Sequence, residues 1–150
     1  MNTKIKVDQT KIAGIYTAQE APQLLIPLLQ DKVSAGFPSS AENYIDKALD
    51  LNELLIGHPA ATFFIRVRGD SMINAGIHSN DILIVDRSRA VIHNKIVIAR
   101  IGDELTVKRI KLEGKKLYLV PDNDEYKPIE VTPEMDFEVW GVVTYVIHRT

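Results

Sequence analysis

The pattern of apolar and polar positions changes near residue 62. From there on, short runs rich in Val, Ile, Phe, Tyr and Thr are separated by segments that contain Gly, Asn, Asp or Pro, which is typical of β-strands joined by turns. The short segments at Gly102 and Gly114 predict hairpins and hence antiparallel neighbours. The predicted strands are Thr62–Arg68, Asp81–Asp86, Lys95–Ile101, Glu104–Leu112, Lys116–Pro121 and Phe137–Val146. The predicted fold class is therefore mostly β, an antiparallel coiled sheet or partly open barrel.

The first part of the chain has a different pattern. Three prolines and a glycine between Pro22 and Pro38 discourage regular structure. We interpret residues 1–38 as a flexible, extended N-terminal arm that packs through the apolar stretch 24–29. An ordinary amino-terminal strand or loop of the domain is the alternative. The β-rich domain is expected to span residues 39–150.

Two helix starts are predicted between the arm and the first strand. Ser39-Ser40-Ala41-Glu42 matches a capping box, and apolar residues at helical spacing follow it up to Leu49. Asp50-Leu51-Asn52-Glu53 repeats the capping pattern and predicts a short helical turn through Leu55. We expect one or two short helices here that carry no chemistry.

Composition excludes several classes of function. The 150 residues suffice for one domain, and a net charge of −2 argues against a generic nucleic-acid or anionic-membrane binder. The absence of cysteine excludes disulfides, thiol nucleophiles and thiolate metal sites. The four histidines do not have the spacing of a known metal motif, so we expect no metal and no cofactor. No apolar run is long enough for a bilayer, and the amino terminus lacks the apolar core of a secretory signal, so a cytoplasmic protein is expected.

Ser71 is the first candidate for chemistry. It follows a predicted strand and a Gly69-Asp70 pair, and a glycine there lets the chain bend sharply and present the hydroxyl. A serine after a turn is commonplace, so Ser71 alone does not establish a catalytic site.

Lys108 is the second candidate. Along its strand Thr106, Lys108 and Ile110 share one face, while Arg109 and Lys111 lie on the other. A lysine held among apolar neighbours has a pKa that falls from about 10.4 toward neutrality, and a neutral amine can take the proton from a serine hydroxyl. A solvated strand lysine is the simpler interpretation of this residue alone.

A Ser-His-Asp triad is the competing chemistry. It would combine Ser71 and His78 with Asp81 or Asp86, and it requires residues from one stretch of chain to converge. His78 has the surroundings of a turn residue, which makes the Ser-Lys pair the better candidate.

Four segments follow one another in a distinctive order: Gly69-Asp70-Ser71-Met72, Asp81–Asp86, Leu105–Arg109 and Pro121-Asp122-Asn123. Their order and spacing resemble the LexA/UmuD family of self-cleaving serine peptidases. Upstream of them, Ala35-Gly36-Phe37-Pro38-Ser39 resembles the cleavage site of that family. Within the family, three features resemble UmuD more than LexA: the short arm, Gly36-Phe37-Pro38-Ser39 and Asp50–Ile56. Residues 1–34 are also expected to be too few for the three-helix DNA-binding domain of a LexA-type repressor.

The resemblance implies a function and a set of residue roles. Ser71 would be the nucleophile, Lys108 the general base and Ala35–Gly36 the scissile bond. The backbone N–H groups of Ser71 and Met72 are candidates for the oxyanion hole, and Val33 is a candidate for an apolar substrate pocket. The implied protein is an SOS mutagenesis factor that forms a homodimer and cuts off its own arm when stimulated by the RecA filament on single-stranded DNA. It would then be the accessory subunit of an error-prone translesion DNA polymerase, with a UmuC-like Y-family polymerase subunit as its partner. Direct sequence-specific DNA binding and membrane association are not expected.

Three alternatives remain open from the sequence. A non-catalytic β-domain interaction module would make Ser71 and Lys108 incidental. A truncated LexA-type or phage-type repressor would require a longer amino terminus, and a signal-peptidase relative would require a membrane anchor. One departure from the family pattern is Asn80, where the family usually has glycine, and asparagine is expected to adopt the left-handed backbone that such a turn needs.

Overall fold

The chain forms two compact units, one built from Met1–Ala18 and His58–Thr150 and the other from Gln19–Gly57. The computed structural model describes residues 11–17, 22–29, 36 and 45–150. Within these ranges there is no helix with the length and apolar character needed to span a bilayer.

Strands dominate both units. The first three are β1 (Lys11–Thr17), β2 (Ile26–Leu29) and β3 (Ile45–Leu49), and a helix α1 (Leu51–Leu55) follows. The remaining strands are β4 (Thr62–Arg68), β5 (Ile82–Asp86), β6 (Ile96–Ile101), β7 (Glu104–Glu113), β8 (Lys116–Val120), β9 (Ile129–Val131) and β10 (Phe137–Ile147). Single turns of 3-10 helix lie at Pro59–Ala61 and Ile73–Ala75.

The larger unit is a strongly curled antiparallel sheet, a half-barrel, so the predicted fold class is confirmed. Its strand order in the described residues is β1-β4-β5-β10-β6-β7-β8-β9. All six strands predicted after residue 62 are present, with bounds that differ by at most one residue at each end. The turns at Gly102 and Gly114 connect β6 to β7 and β7 to β8, and both glycines have positive φ. Local composition and turn residues were therefore sufficient to predict this part of the fold.

Strand β10 joins the two halves of this sheet. It pairs with β5 along one part of its length and with β6 along the other, and its register shifts in each ladder, between Val143 and Tyr145 and between Val139 and Gly141. A Cβ at Gly141 would lie 2.5 Å from Cγ1 of Val85, so only glycine permits the close approach of β10 to β5. Such irregularities increase the local twist of a sheet and help it to curl.

Apolar side chains pack on both faces of the sheet. One cluster contains Ile65, Val67, Met72, Ile77, Leu83, Val85, Ile98 and Val107. The other contains Val97, Ala99, Ile110, Leu119 and Val142. Successive residues of β6 and β7 point to opposite faces and belong to different clusters, so apolar side chains cover both faces of these two strands.

The smaller unit contains the antiparallel pair β2–β3 and helix α1. The predicted turn from Asp50 is confirmed, because its carboxylate accepts from the N–H of Asn52 at 2.8 Å and begins α1. The other carboxylate oxygen accepts from the N–H of Leu24 at 3.1 Å. Asp50 thus ties the helix start to the segment that precedes β2.

The longer helix predicted from Ser39 is wrong over Ile45–Leu49, which form β3; Ser39 itself lies outside the described residues. The helical spacing there was local, whereas the ladder with β2 gives these residues hydrogen bonds to a segment some twenty residues earlier. Tertiary pairing overrides so short a pattern.

Strand β1 was not among the predicted strands, although an amino-terminal strand of the domain was the alternative to the arm. It lies in the region interpreted as an arm and pairs with β4 as the edge strand of the larger sheet. Ile12 packs against the first apolar cluster, while Ile15 is exposed. Because β1 has little apolar alternation of its own, its position depends on β4.

Candidate active site

The turn after β4, residues 69–72, is called the serine turn and places Ser71 in the interior. Gly69 has φ 103°, a left-handed angle that favours glycine, as the sequence predicted. Asp70 then accepts at its carbonyl from the N–H of Ile73, and a turn of 3-10 helix begins. Ser71 and Met72 lie between these two features, with exposures of 0% and 1%.

Lys108 reaches Ser71 from the middle of β7. Its Nζ lies 3.4 Å from the Oγ of Ser71, 2.8 Å from the Oγ1 of Thr106 and 2.9 Å from the carbonyl oxygen of Val107. The side chain is 1% exposed, and Val97 is its cross-strand neighbour on β6. The structure thus brings together the serine and the lysine that the sequence singled out, 37 residues apart, in a site removed from water.

A second loop holds the serine turn in place. Asp122 follows β8, and its carbonyl accepts from the N–H of Asn74 at 2.9 Å. Its N–H lies 3.4 Å from the Sδ of Met72. Asn123 donates from Nδ2 to the carbonyl of Asp70 at 2.9 Å. Backbone on both sides of Ser71 is therefore fixed by residues that come fifty positions later.

Two side-chain contacts reinforce this arrangement. Arg109, next to Lys108 on β7, binds the Asp122 carboxylate with Nη2 at 2.6 Å and Nε at 3.0 Å. Tyr126 donates its hydroxyl to the carboxylate of Asp70. From the sequence, Tyr126 was assigned no role, and Asp122 was named only as part of the segment Pro121-Asp122-Asn123 that matches the family. No local pattern identifies such contacts, because the partners lie on different strands and loops.

The loop that follows the serine turn is fastened to β4. Asn80 has φ 75°, which confirms that asparagine adopts the left-handed angle expected there. Its N–H donates to the carbonyl of Val67 at 2.8 Å, and the N–H of Val67 donates to the carbonyl of Asp81 at 3.0 Å. The departure from glycine at position 80 therefore leaves the turn intact.

One pair of the competing triad is present, because Nδ1 of His78 lies 3.7 Å from Oδ2 of Asp81. The alternative acid of that triad, Asp86, is bound by His58 at 2.7 Å. The basic side chain whose contact with the Ser71 hydroxyl the structure shows is Lys108.

The proposed cleavage segment is described at one residue. Gly36 is exposed and lies in a bend of the smaller unit. Ala35 and Val33 lie outside the described residues. Their roles as scissile residue and pocket residue stay predictions, as do the oxyanion roles of the Ser71 and Met72 N–H groups.

Comparison with known proteins adds independent information. Residues 27–144 match the family described as Peptidase S24-like. Protein ImpA of Escherichia coli is 47% identical over 125 residues, which cover 83% of this chain and 84% of its own. Protein MucA of Escherichia coli is 43% identical over 121 residues, 80% and 82% of the two chains. The LexA repressor of Pseudomonas chlororaphis is 41% identical over 119 residues, which are 79% of this chain and 58% of the repressor.

Proposed function

Because this chain belongs to the Peptidase S24-like family, as a UmuD-like member of the LexA/UmuD group, we propose that it is a serine peptidase that cuts its own chain between Ala35 and Gly36. The observation that carries the proposal is the buried pair of Ser71 Oγ and Lys108 Nζ, 3.4 Å apart. Segment 1–38 would be the arm that contains the cut, and residues 39–150 would be the peptidase domain.

Lys108 would act as the general base. Burial disfavours an ammonium ion because the ion loses its hydration, so an amine with 1% exposure is suited to the neutral form. Hydrogen bonds to Thr106 and to the Val107 carbonyl hold Nζ in one direction. The neutral amine would take the proton from Ser71 as Oγ forms a bond to the Ala35 carbonyl carbon.

The remaining steps use the same two side chains. The oxyanion formed at Ala35 would be stabilised by backbone N–H groups, for which Ser71 and Met72 are the nearest in sequence. The Ala35–Gly36 bond would then break, and the Lys108 ammonium would give its proton to the Gly36 amine. Water, deprotonated by Lys108, would hydrolyse the ester on Ser71 and restore both residues.

A cleavage assay tests this proposal. Purified full-length chain would be incubated at alkaline pH, or at neutral pH with a RecA filament on single-stranded DNA, and the products weighed by mass spectrometry. We expect two fragments that meet between Ala35 and Gly36, in wild type and in the control Lys111→Ala on the other face of β7. Neither Ser71→Ala nor Lys108→Ala should yield them.

Two results would refute the proposal. A cut at another bond would show that Ala35 is not the scissile residue. A wild-type chain that stays intact under both conditions would instead favour the non-catalytic interaction module.

The cellular role follows from the same family relation. We propose that the chain is an SOS mutagenesis factor that acts as a homodimer in the cytoplasm, and that its cut form serves a UmuC-like polymerase subunit. The curated relatives ImpA, SamA and MucA support this assignment, since all match about four-fifths or more of this chain. Cells treated with a DNA-damaging agent should accumulate the fragment that begins at Gly36, and cells without RecA should not. Damage-induced mutagenesis that is equal in wild type and Ser71→Ala would refute this role.

A further inference from the structure

Three side chains with metal-binding atoms converge where β5 begins and β10 ends. His78, Asp81 and His148 each offer one ligand atom, and these atoms lie within 4.8 Å of one another. The antiparallel register explains the convergence, because Ile147 of β10 pairs with Ile82 of β5 and the next residues outward are His148 and Asp81. No spacing in the sequence indicated this group, since the two histidines are far apart in the chain.

The carboxylate of this group is already fixed. Asp81 is 3% exposed, and its Oδ2 accepts from the N–H of His78 at 2.7 Å. Its Oδ1 lies 2.7 Å from the Nδ1 of His148. A carboxylate held by a backbone N–H resembles those that ligate metals, which are themselves oriented by further hydrogen bonds.

One ring nitrogen of His78 has no hydrogen bond within the described residues. This nitrogen, Nδ1, is buried and has no hydrogen-bond partner in the part of the chain that the structure describes. It lies 3.7 Å from Oδ2 of Asp81, and the rings of His78 and His148 face each other with centroids 4.4 Å apart. A buried polar nitrogen without a partner is costly, so a ligand that uses it would stabilise the protein.

We propose that His78, Asp81 and His148 form a site for a divalent transition-metal ion, best matched by Zn²⁺. Two imidazoles and one carboxylate are a ligand set that Zn²⁺ takes, with a water molecule as the fourth ligand. Bonds of about 2.0–2.2 Å require ligand atoms roughly 3.3 Å apart in a tetrahedron. Ligand atoms that now lie up to 4.8 Å apart must therefore approach one another, and the 2.7 Å contact between Asp81 and His148 must lengthen. His148 follows the last strand and its side chain is 44% exposed, which leaves it free to make this adjustment and open to an arriving ion.

The ion would connect the end of the chain to the loop behind the serine turn. That loop is linked to the turn through the N–H of Ile77, which donates to the Met72 carbonyl at 3.3 Å. Zn²⁺ would thus restrain residues 77–81 and the segment after β10 together. Its expected effect is on the stability of the fold, and the peptidase chemistry proposed for Ser71 does not depend on it.

The test is zinc binding to the purified full-length chain after removal of metals with a chelator. Isothermal titration with Zn²⁺ should show one ion per chain, and Co²⁺ should give the visible absorption of a tetrahedral site. At Zn²⁺ concentrations near 100 times the dissociation constant, the unfolding temperature should rise by about 5–10 °C. Both His78→Asn and His148→Asn should weaken binding at least tenfold.

His58→Asn is the matched control, because His58 also contacts a buried aspartate, Asp86, at 2.7 Å. It should bind Zn²⁺ as wild type does. Loss of the His148–Asp81 contact alone would lower the unfolding temperature equally with and without Zn²⁺, so the zinc-dependent rise is the decisive quantity. Absence of binding, or a rise that persists undiminished in His148→Asn, would overturn the proposal.

Discussion

The ionisation of Asp86 makes the free energy of unfolding depend on pH. This residue ends β5, is 3% exposed and carries hydrogen bonds on both carboxylate oxygens. Oδ1 accepts from the hydroxyl and the N–H of Ser88 at 2.6 and 2.8 Å, and Oδ2 lies 2.7 Å from the Nδ1 of His58. Burial alone would raise the pKa of Asp86, but the bonds from Ser88 and His58 outweigh it and lower the pKa from 3.8 to about 2.

The lowered pKa stabilises the folded chain by an amount that depends on pH. Since the folded form holds its proton less tightly than the unfolded form, the stabilisation is complete above the unfolded value of 3.8 and is lost as pH falls through about 2. The difference between the two pKa values corresponds to about 2.5 kcal/mol at neutral pH, about 1.3 kcal/mol at pH 3 and about 0.4 kcal/mol at pH 2.

The perturbation is Asp86→Asn, which keeps the size of the side chain and removes its charge. Urea unfolding of wild type and variant, at one protein concentration and at several pH values from about 3 to 7, gives the difference in unfolding free energy. We expect the variant to be less stable by about 2.5 kcal/mol at pH 7, with roughly half that difference at pH 3. Asp124→Asn, at an exposed position, should change stability by less than about 0.5 kcal/mol at either pH. A gap between wild type and Asp86→Asn that is equal at pH 3 and pH 7 would refute the electrostatic reasoning.

Three further predictions concern the serine site and the edge of the sheet. Lys108→Met should slow self-cleavage by about 10²–10⁴-fold. It should change the unfolding free energy by no more than about 1 kcal/mol, because a flexible apolar side chain fills the same space without a buried amine. Lys111→Met is the control, and unchanged cleavage in Lys108→Met would exclude Lys108 as the base. Arg109→Met should lower the unfolding free energy in urea by about 1–2 kcal/mol and slow cleavage about tenfold, since Arg109 holds Asp122 against the serine turn. Full cleavage activity in this variant would contradict that role. After cleavage and release of the amino-terminal fragment, hydrogen exchange at β4 amides that face β1 should accelerate, and equal protection before and after would show that β1 stays bound.

The sequence predicted the parts of the fold whose information is local. Each strand from β4 to β8, and β10, is rich in β-branched or aromatic residues and is bounded by turn residues, so each could be recognised without knowledge of its partner. Strand β9 has three residues and β1 little alternation, and both exist because a neighbouring strand offers hydrogen bonds. The helical spacing over Ile45–Leu49 gave the wrong element for the same reason, since the ladder to β2 determined the outcome.

The residues of the candidate site also differ in whether a local sequence pattern identifies them. Ser71 and Lys108 could be singled out because each has a local context, a glycine turn in one case and an alternating strand in the other. The residues that hold them in place, such as Asp122 and Tyr126, act across the sheet and have no local pattern. The same holds for His148, which reaches Asp81 only because β10 and β5 are paired.

The position of β1 connects the fold to the proposed reaction. A cut after Ala35 would break the covalent link between β1 and the rest of the chain. The hydrogen bonds of the β1–β4 ladder would still keep β1 in place. Strand β4 leads directly into the turn that contains Ser71, so loss of β1 would leave β4 with an unpaired edge. An unpaired edge is a template for another strand, from a second copy or from a different protein. Self-cleavage would therefore change the binding surface in two steps, scission and then strand release, and the second step would determine when a new partner can bind.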